Sequence, residues 1–512
     1  MTHQYLLAHD LGTTGNKATL FDVDKSAVKV STFEAYPTDY SQPGRAEQDP
    51  ADWQRAIWQC THRLISESGI DPASIASVSF SGHMQGALLV DRQGIPLSKC
   101  IIWADQRATA QADFITSACG SETLYRLTGQ RISPTYTAPK VMWIKEHYPE
   151  VYKQAYKILQ PKDYAAFLLS GVFATDHSDA SSTLFFDLTN RRWMPDVIKT
   201  MGLDSELLPE AYPSTTVIGH VTTEAAAASG LVAGTPVVIG GGDGACATVG
   251  AGSVREGEAY AYIGSSSWIA VTCRQPVLDS QQRTFTLAHL MPDFCFSLGT
   301  MQAAGGAYGW LERLLHPEKA AESLKLMDTQ ASSVPAGSGG LLFLPYLMGE
   351  RSPYWNPLAR GALVGLTMPH GQPELARSVL EGVAFNLRLI LDALRTQDLQ
   401  IARLLLIGGG AKSAVWRQIL ADVLGLQIFL PALTTEATAL GALVAGGVGV
   451  GLFPDFTVID RLIATREAER PQQVNQQKYA ALLDLFKRSY EALNPIFSEL
   501  ARITAVKPNL DD

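Results

Sequence analysis

Four times along this chain a short apolar run of β type stops at a turn built from glycine with hydroxyl or carboxylate side chains. In the first, YLLAHDLGTTGNKATLFDV, the runs Tyr5 to Ala8 and Lys17 to Val23 flank a Gly/Thr turn, which is the pattern of a hairpin. PVVIGGGDGACATVGAG (236–252), AYAYIGSSSW (259–268) and LLLIGGGAKSAVW (404–416) repeat the punctuation. After the last of these, Trp416, Ile419, Leu420 and Val423 fall at helical spacing behind Ser413, a natural N-cap. A strand feeding a glycine turn and a helix start suits anions, because the first amides of a helix lack partners within it. Leu380, Val383, Leu387, Ile390, Leu391 and Leu394 mark the core face of a helix expected from about Pro373 to Arg395. The blocks near residues 5 and 259 divide the chain into halves that each open on such a loop, which predicts two α/β domains facing one another.

Composition narrows what such domains can bind. The 512 residues are 46% hydrophobic and carry 41 Lys+Arg against 50 Asp+Glu, a net charge of −9. A net-acidic chain with no block of Lys/Arg lacks the phosphate-neutralising surface of a nucleic-acid binder. The uncharged, apolar stretch ATALGALVAGGVGVGLF (437–453) is shorter than a bilayer span, so a Gly/Ala-rich packed helix is expected and no membrane partner. Six cysteines with no CxxC pair argue against a disulfide scaffold or a zinc site, and the apolar patch before His9 is too short for a signal-peptide core. A reduced, cytoplasmic chain is the expectation.

The turns also carry the groups that could do chemistry. DLGTTG (10–15) offers close backbone approach at Gly12 and Gly15, hydroxyls at Thr13 and Thr14 and a carboxylate at Asp10. A nucleotide phosphate with its magnesium needs such groups, since turn amides hold anions and hard Mg²⁺ prefers oxygen ligands. Asp, Gly and Thr are also what ordinary turns are made of, so this turn alone leaves a plain hairpin open. GSSS (264–267) supplies a second hydroxyl-rich turn, and the two together would make a clamp. Asp243, flanked by glycines in GGGDGA, is a candidate general base, although this segment alone suits an Asp satisfying turn amides better. Gly240, Gly242 and Ala245 satisfy GxGxx(G/A) after a strand, so a dinucleotide oxidoreductase competes, although an Asp within that turn would repel a pyrophosphate. There is no GxxxxGK(S/T), no HExxH and no HRD or DFG pair.

Taken in order, a longer series of strings resembles the FGGY family of carbohydrate kinases and, within it, the xylulose kinases. DLGTTG is similar to the family's first phosphate loop, and EQDP (47–50) with Trp53 to its early signature. SGHMQG (81–86), WADQR (103–107), APKVMWIKEH (138–147) and PKDY (161–164) follow in the family's order. PYLMGERSP (345–353), GALVGLTMPHGQPELARSVLEG (361–382) and GGGAKSAVWRQILAD (408–422) complete it over nearly the whole chain.

The resemblance implies an α/β, two-domain actin-like ATPase (ribonuclease H-like) fold with its active site in the interdomain cleft. The domains would be 1–252, sugar-binding with the phosphate loop, and 253–512, nucleotide-binding. It implies ATP and Mg²⁺ as cofactors and a small sugar as partner, most similar to D-xylulose, and a homodimer is common among such kinases. Ribulose, glycerol and gluconate are the substrate alternatives, and a sugar- or nucleotide-sensing protein on the same fold is a non-kinase one. By similarity Asp243 is the base, and Asp10 sits by the metal and phosphates. Thr13 and Thr14, with Gly12, hold the phosphate chain. Ser265, where the family usually has Thr, joins Gly305, Gly410 and Ala411 in lining the nucleotide pocket. Trp103, Asp105, Met84, His83 and Gln85 are the sugar-pocket candidates. Xylulose kinases typically read GQMHG where this chain reads GHMQG, so His83 and Gln85 stand in each other's places. If that segment is extended, the two side chains share a face.

Overall fold

The computed structural model describes residues 4–318, 322–395, 399–431 and 436–504. Its first sheet comprises β1 (Tyr5–Leu11), β2 (Gly15–Asp22), β3 (Ala27–Ala35), β4 (Ile75–Gly82), β5 (Val217–His220), β6 (Pro236–Val238) and β7 (Gly241–Gly242). The order is β5-β6-β4-β1-β2-β3, with β7 also paired to β4. The first three strands form an antiparallel meander, while β4 runs parallel to β1 and β6 parallel to β4. Helix α1 (Asp243–Gly250) starts where β7 ends.

The second sheet repeats the plan with β8 (Ala259–Ile263), β9 (Ser267–Cys273), β10 (Phe285–Ala288), β11 (Cys295–Met301), β12 (Arg403–Ile407), β13 (Gln427–Pro431) and β14 (Thr465–Glu469). Its order is β10-β11-β9-β8-β12-β13-β14. The path β11-β9-β8-β12-β13 matches β3-β2-β1-β4-β6, three antiparallel strands followed by two parallel ones. Helices α2 (Gly305–Leu315), α3 (Gln372–Leu394), α4 (Ala414–Leu424) and α5 (Ala437–Gly449) belong to this half of the sequence. The long helix expected from the apolar stripe is α3, and Ser413 caps α4 by accepting the Trp416 amide.

Every residue of β4 is buried, as a strand covered on both faces must be. On one side Leu7, Val78 and Phe80 pack with Trp53 and Ile57 of the helix Pro50–Ser68. On the other, Leu6 and Ala8 pack with Leu440, Leu443 and Val444 of α5. The helix read as packed in 437–453 therefore covers the first sheet, beside α1, although in sequence it lies between β13 and β14 of the second. Its glycines make that possible. A Cβ at Gly441 would lie 2.1 Å from the Cys246 carbonyl oxygen, and one at Gly250 only 1.8 Å from that of Ala437. Gly441→Ala is accordingly expected to force α1 and α5 apart, cost about 1–3 kcal/mol in urea unfolding and lower turnover with it. Among the described residues, no helix is long and apolar enough to cross a membrane.

Candidate active site

The turn after β1 is anchored by its carbonyls. Gly12 O accepts the Tyr36 hydroxyl at 2.6 Å, Thr13 O accepts Gln48 Nε2 at 2.7 Å, and Thr14 O accepts the Tyr36 amide at 3.2 Å. Trp103 Nε1 donates to Thr13 Oγ1 at 3.0 Å, which brings two predicted site residues together across 90 positions of sequence. The loop is thus a braced hairpin rather than a free one.

Asp10 lies on β1 just before this loop, and Thr438 Oγ1 at the start of α5 donates to its Oδ2 at 2.5 Å. Asp243 is the first residue of α1 and accepts the Gly244 amide at 2.7 Å. Both carboxylates are half-buried. Burial, and then the charge of Asp10, push the Asp243 carboxyl up to about 7 against the Gly244 hydrogen bond. Asp10 is also raised by burial, with the Thr438 and Ser81 hydroxyls and the Lys17 charge opposing. A carboxylate in this range can take a proton near neutral pH. The Gly240–Gly242 turn does end at a helix start, yet the Asp243 carboxylate takes the Gly244 amide there and sets negative charge against any pyrophosphate.

The second clamp is equally specific. The β8-β9 loop, Gly264–Ser266, leaves Ser265 exposed. Its carbonyls accept amides at the start of α2, Gly264 O from Gly305 and Ser265 O from Ala304, both at 2.8 Å. A Cβ at Gly305 would lie 2.5 Å from Gly264 O, so only glycine allows this approach. Gly410 meets the same strand end, where a Cβ would be 2.3 Å from Ile263, and the buried Ala411 follows it. Ser265, Gly305, Gly410 and Ala411 therefore form one cluster at the end of β8.

The sugar-side candidates divide. Met84 packs against Gly242, where a Cβ would lie 2.6 Å from its side chain, and so adjoins Asp243. Gln85 is partly exposed and has φ of 66°, so β4 has ended and the chain has turned. The expectation that His83 and Gln85 share a face of an extended segment fails for that reason. His83 is buried, with Nε2 at 3.1 Å from Gln48 Oε1. Trp53 Nε1 can only donate, and does so to the same Oε1, so His83 is the Nε2–H tautomer and Gln48 the acceptor. Burial, then the Lys140 charge, push His83 down to about 3. Asp105 is fully buried and accepts from the Ala46 amide and the Arg107 guanidinium. Its carboxylate braces the Ala46 and Arg107 segments from inside the protein.

Gln48 links Thr13, Thr38, Trp53 and His83, a role that its place in the EQDP string does not disclose. Thr438 is equally silent in the sequence. The only local signal was a hydroxyl at the head of an otherwise apolar helix.

The model of the FGGY family of carbohydrate kinases, N-terminal domain, matches residues 5–250, and that of its C-terminal domain matches 259–450. A xylulose kinase of Bacillus subtilis (strain 168) is 32% identical over 488 residues, which cover 95% of this chain and 97% of the relative. A gluconokinase of Bacillus licheniformis is 30% identical over 507 residues, 97% of this chain and 98% of the relative. A solved structure of ligand-bound xylulose kinase from Lactobacillus acidophilus aligns with a TM-score of 0.91 at 28% identity, covering 97% of this chain and 99% of that one. The duplicated sheets are those of the two-domain actin-like ATPase fold. The chain belongs to the FGGY family of carbohydrate kinases, enzymes that move a phosphoryl group from ATP to a sugar.

Proposed function

We propose that this enzyme phosphorylates D-xylulose to D-xylulose 5-phosphate in the cytoplasm, with domains 1–252 and 253–512 closing on sugar and nucleotide. The observation that carries the chemistry is the half-buried carboxylate of Asp243, raised to about 7 and adjoining Asp10 and Met84. Xylulose kinases among its relatives support the sugar.

Phosphoryl transfer needs in-line placement and neutralised charge, with little covalent work for the protein. Asp243 takes the proton of the attacking sugar hydroxyl. Gly12, Thr13 and Thr14 hold the phosphate chain from one side, and Ser265 with Gly305, Gly410 and Ala411 hold the nucleotide from the other. Met84, Gln85 and Trp103 border the sugar, while His83 and Asp105 act through the segments they brace. Mg²⁺ suits the half-buried Asp10 carboxylate, since it is commonly held by one or two carboxylates together with substrate phosphates and water. When bound it neutralises phosphate charge.

A second reading, an aldonic acid such as gluconate, is favoured by gluconokinase relatives of nearly equal identity. ADP release over a panel of D-xylulose, D-ribulose, glycerol and gluconate tests both readings. We expect D-xylulose to give the highest kcat/KM, with slow hydrolysis of ATP when no sugar is present. A maximum with gluconate alone would replace the substrate and leave the kinase chemistry standing.

A further inference from the structure

Asp243 is presented by Gly240, Gly241 and Gly242, three residues with no side chains to hold their conformation, and Gly240 has φ of 67°. What holds this segment lies around it. On one side is Met84. On the other a Cβ at Gly241 would lie 2.2 Å from Leu290 and 2.8 Å from Ser178 Oγ. The Gly242 amide, at the N-cap of α1, donates to Ser178 Oγ at 2.9 Å.

Behind Ser178 is a charge cluster that the proposed chemistry does not use. Ser178 Oγ donates to Asp176 Oδ2 at 2.6 Å, and the same oxygen accepts the Ser178 amide at 2.8 Å and Ser214 Oγ at 2.7 Å. Asp176 Oδ1 lies 3.1 Å from Lys162 Nζ. Lys162, Asp176 and Ser178 are fully buried. Burial alone would raise Asp176, but the Lys162 charge and the hydroxyl donors outweigh it and hold the carboxyl below its usual range.

We propose that Ser178 is a positioning residue for phosphoryl transfer, its hydroxyl oriented by Asp176 and Lys162 so that it pins the Gly242 amide and with it the carboxylate of Asp243. The donor roles leave one arrangement. An amide only donates, so Ser178 Oγ accepts from Gly242 and its own proton goes to Asp176. The ionised acceptor makes that second bond a charge-assisted one and polarises the hydroxyl toward the amide. The inference rests on Asp243 being the base.

Ser178→Ala and Ser214→Ala form a matched pair. Each removes one hydroxyl from Asp176 Oδ2, and only the first also releases Gly242. Displacing a base by a fraction of an ångström costs kcat, so Ser178→Ala is expected to lower kcat about tenfold to a hundredfold. KM for ATP and for sugar should stay within about twofold. Ser214→Ala should lose comparable thermal stability and keep its kcat, and Ser178→Thr should recover most of the loss. The proposal is overturned if Ser178→Ala and Ser214→Ala have the same kcat, or if the defect lies in KM. Asp243→Asn run alongside separates the two levels. If it is inactive while Ser178→Ala is unimpaired, only the positioning role falls; if it turns over normally, the base assignment falls and the positioning role with it.

Discussion

Asp243→Asn will lose about 10² to 10⁴ in turnover, retain ATP binding, and yet unfold at a higher urea concentration than the parent enzyme above neutral pH. The first effect follows from removing the base. The second follows from what the fold does to that base. Its carboxyl moves from an ordinary 3.8 to about 7, so between those values the folded chain keeps a proton that the unfolded chain has released. Stability from this group is complete below the lower value and is lost as pH rises through the upper one. Above it, the parent enzyme carries a charge that burial and Asp10 disfavour, and Asn carries none. The stability gap between the two proteins should therefore open from about pH 4 to 7 and then level off. In the same window kcat/KM of the parent should climb, because the deprotonated form is the active one. Urea midpoints at pH 5 and 8, with ADP release across the range, measure all of this. Turnover by Asp243→Asn within about tenfold of the parent would remove Asp243 from the chemistry.

Lys162→Met will be the most damaging substitution for the fold itself. Its Nζ lies 2.7 Å from Asp163, 3.1 Å from Asp176 and 3.4 Å from Asp179, and none of these side chains is more than 1% exposed. Burial lowers the lysine's affinity for its proton, but the carboxylates around it win, and Lys162 stays charged. Asp163 and Asp179 are raised by burial against its pull. Methionine matches the length of the side chain but leaves acids facing one another in the interior. Breaking a buried ion cluster from one side costs about 3–5 kcal/mol, and urea unfolding at neutral pH should read that loss. The penalty should shrink toward acid pH, where the carboxylates take up protons. A loss under about 1 kcal/mol would mean that water or rearrangement already compensates these charges.

Much of this protein was legible wherever the controlling forces act over a few residues. The β1-β2 hairpin follows from apolar runs around a Gly/Thr turn, α3 from a stripe of leucines at helical spacing, and the start of α4 from the Ser413 cap. Gly242 and Gly410 stand in legible glycine turns and Gly305 is implied by the family resemblance, and the structure supplies the reason for all three in the atoms a Cβ would strike. His83 and Gln85 were misjudged because a two-residue period holds only while a strand lasts, and β4 ends at Gly82. Ser178 and Gln48 gave little local sign of their partners. Their hydrogen bonds to Gly242 and Thr13 span 64 and 35 residues.

Local sequence is enough to set the repeated strand-turn units, the carboxylates and hydroxyls at their tips, and the apolar segments that had to be buried. These depend on backbone sterics, turn chemistry and hydrophobic spacing, which are written into neighbouring residues. It takes the assembled chain to make α5 cover the sheet of the opposite half, to bring Thr438 to Asp10, and to gather a lysine and three acids in the interior behind Asp243. Burial and charge proximity join segments that need not be neighbours in the chain, Asp10 and Thr438 being 428 positions apart. The affinity of Asp243 for its proton is therefore a property of the assembled fold.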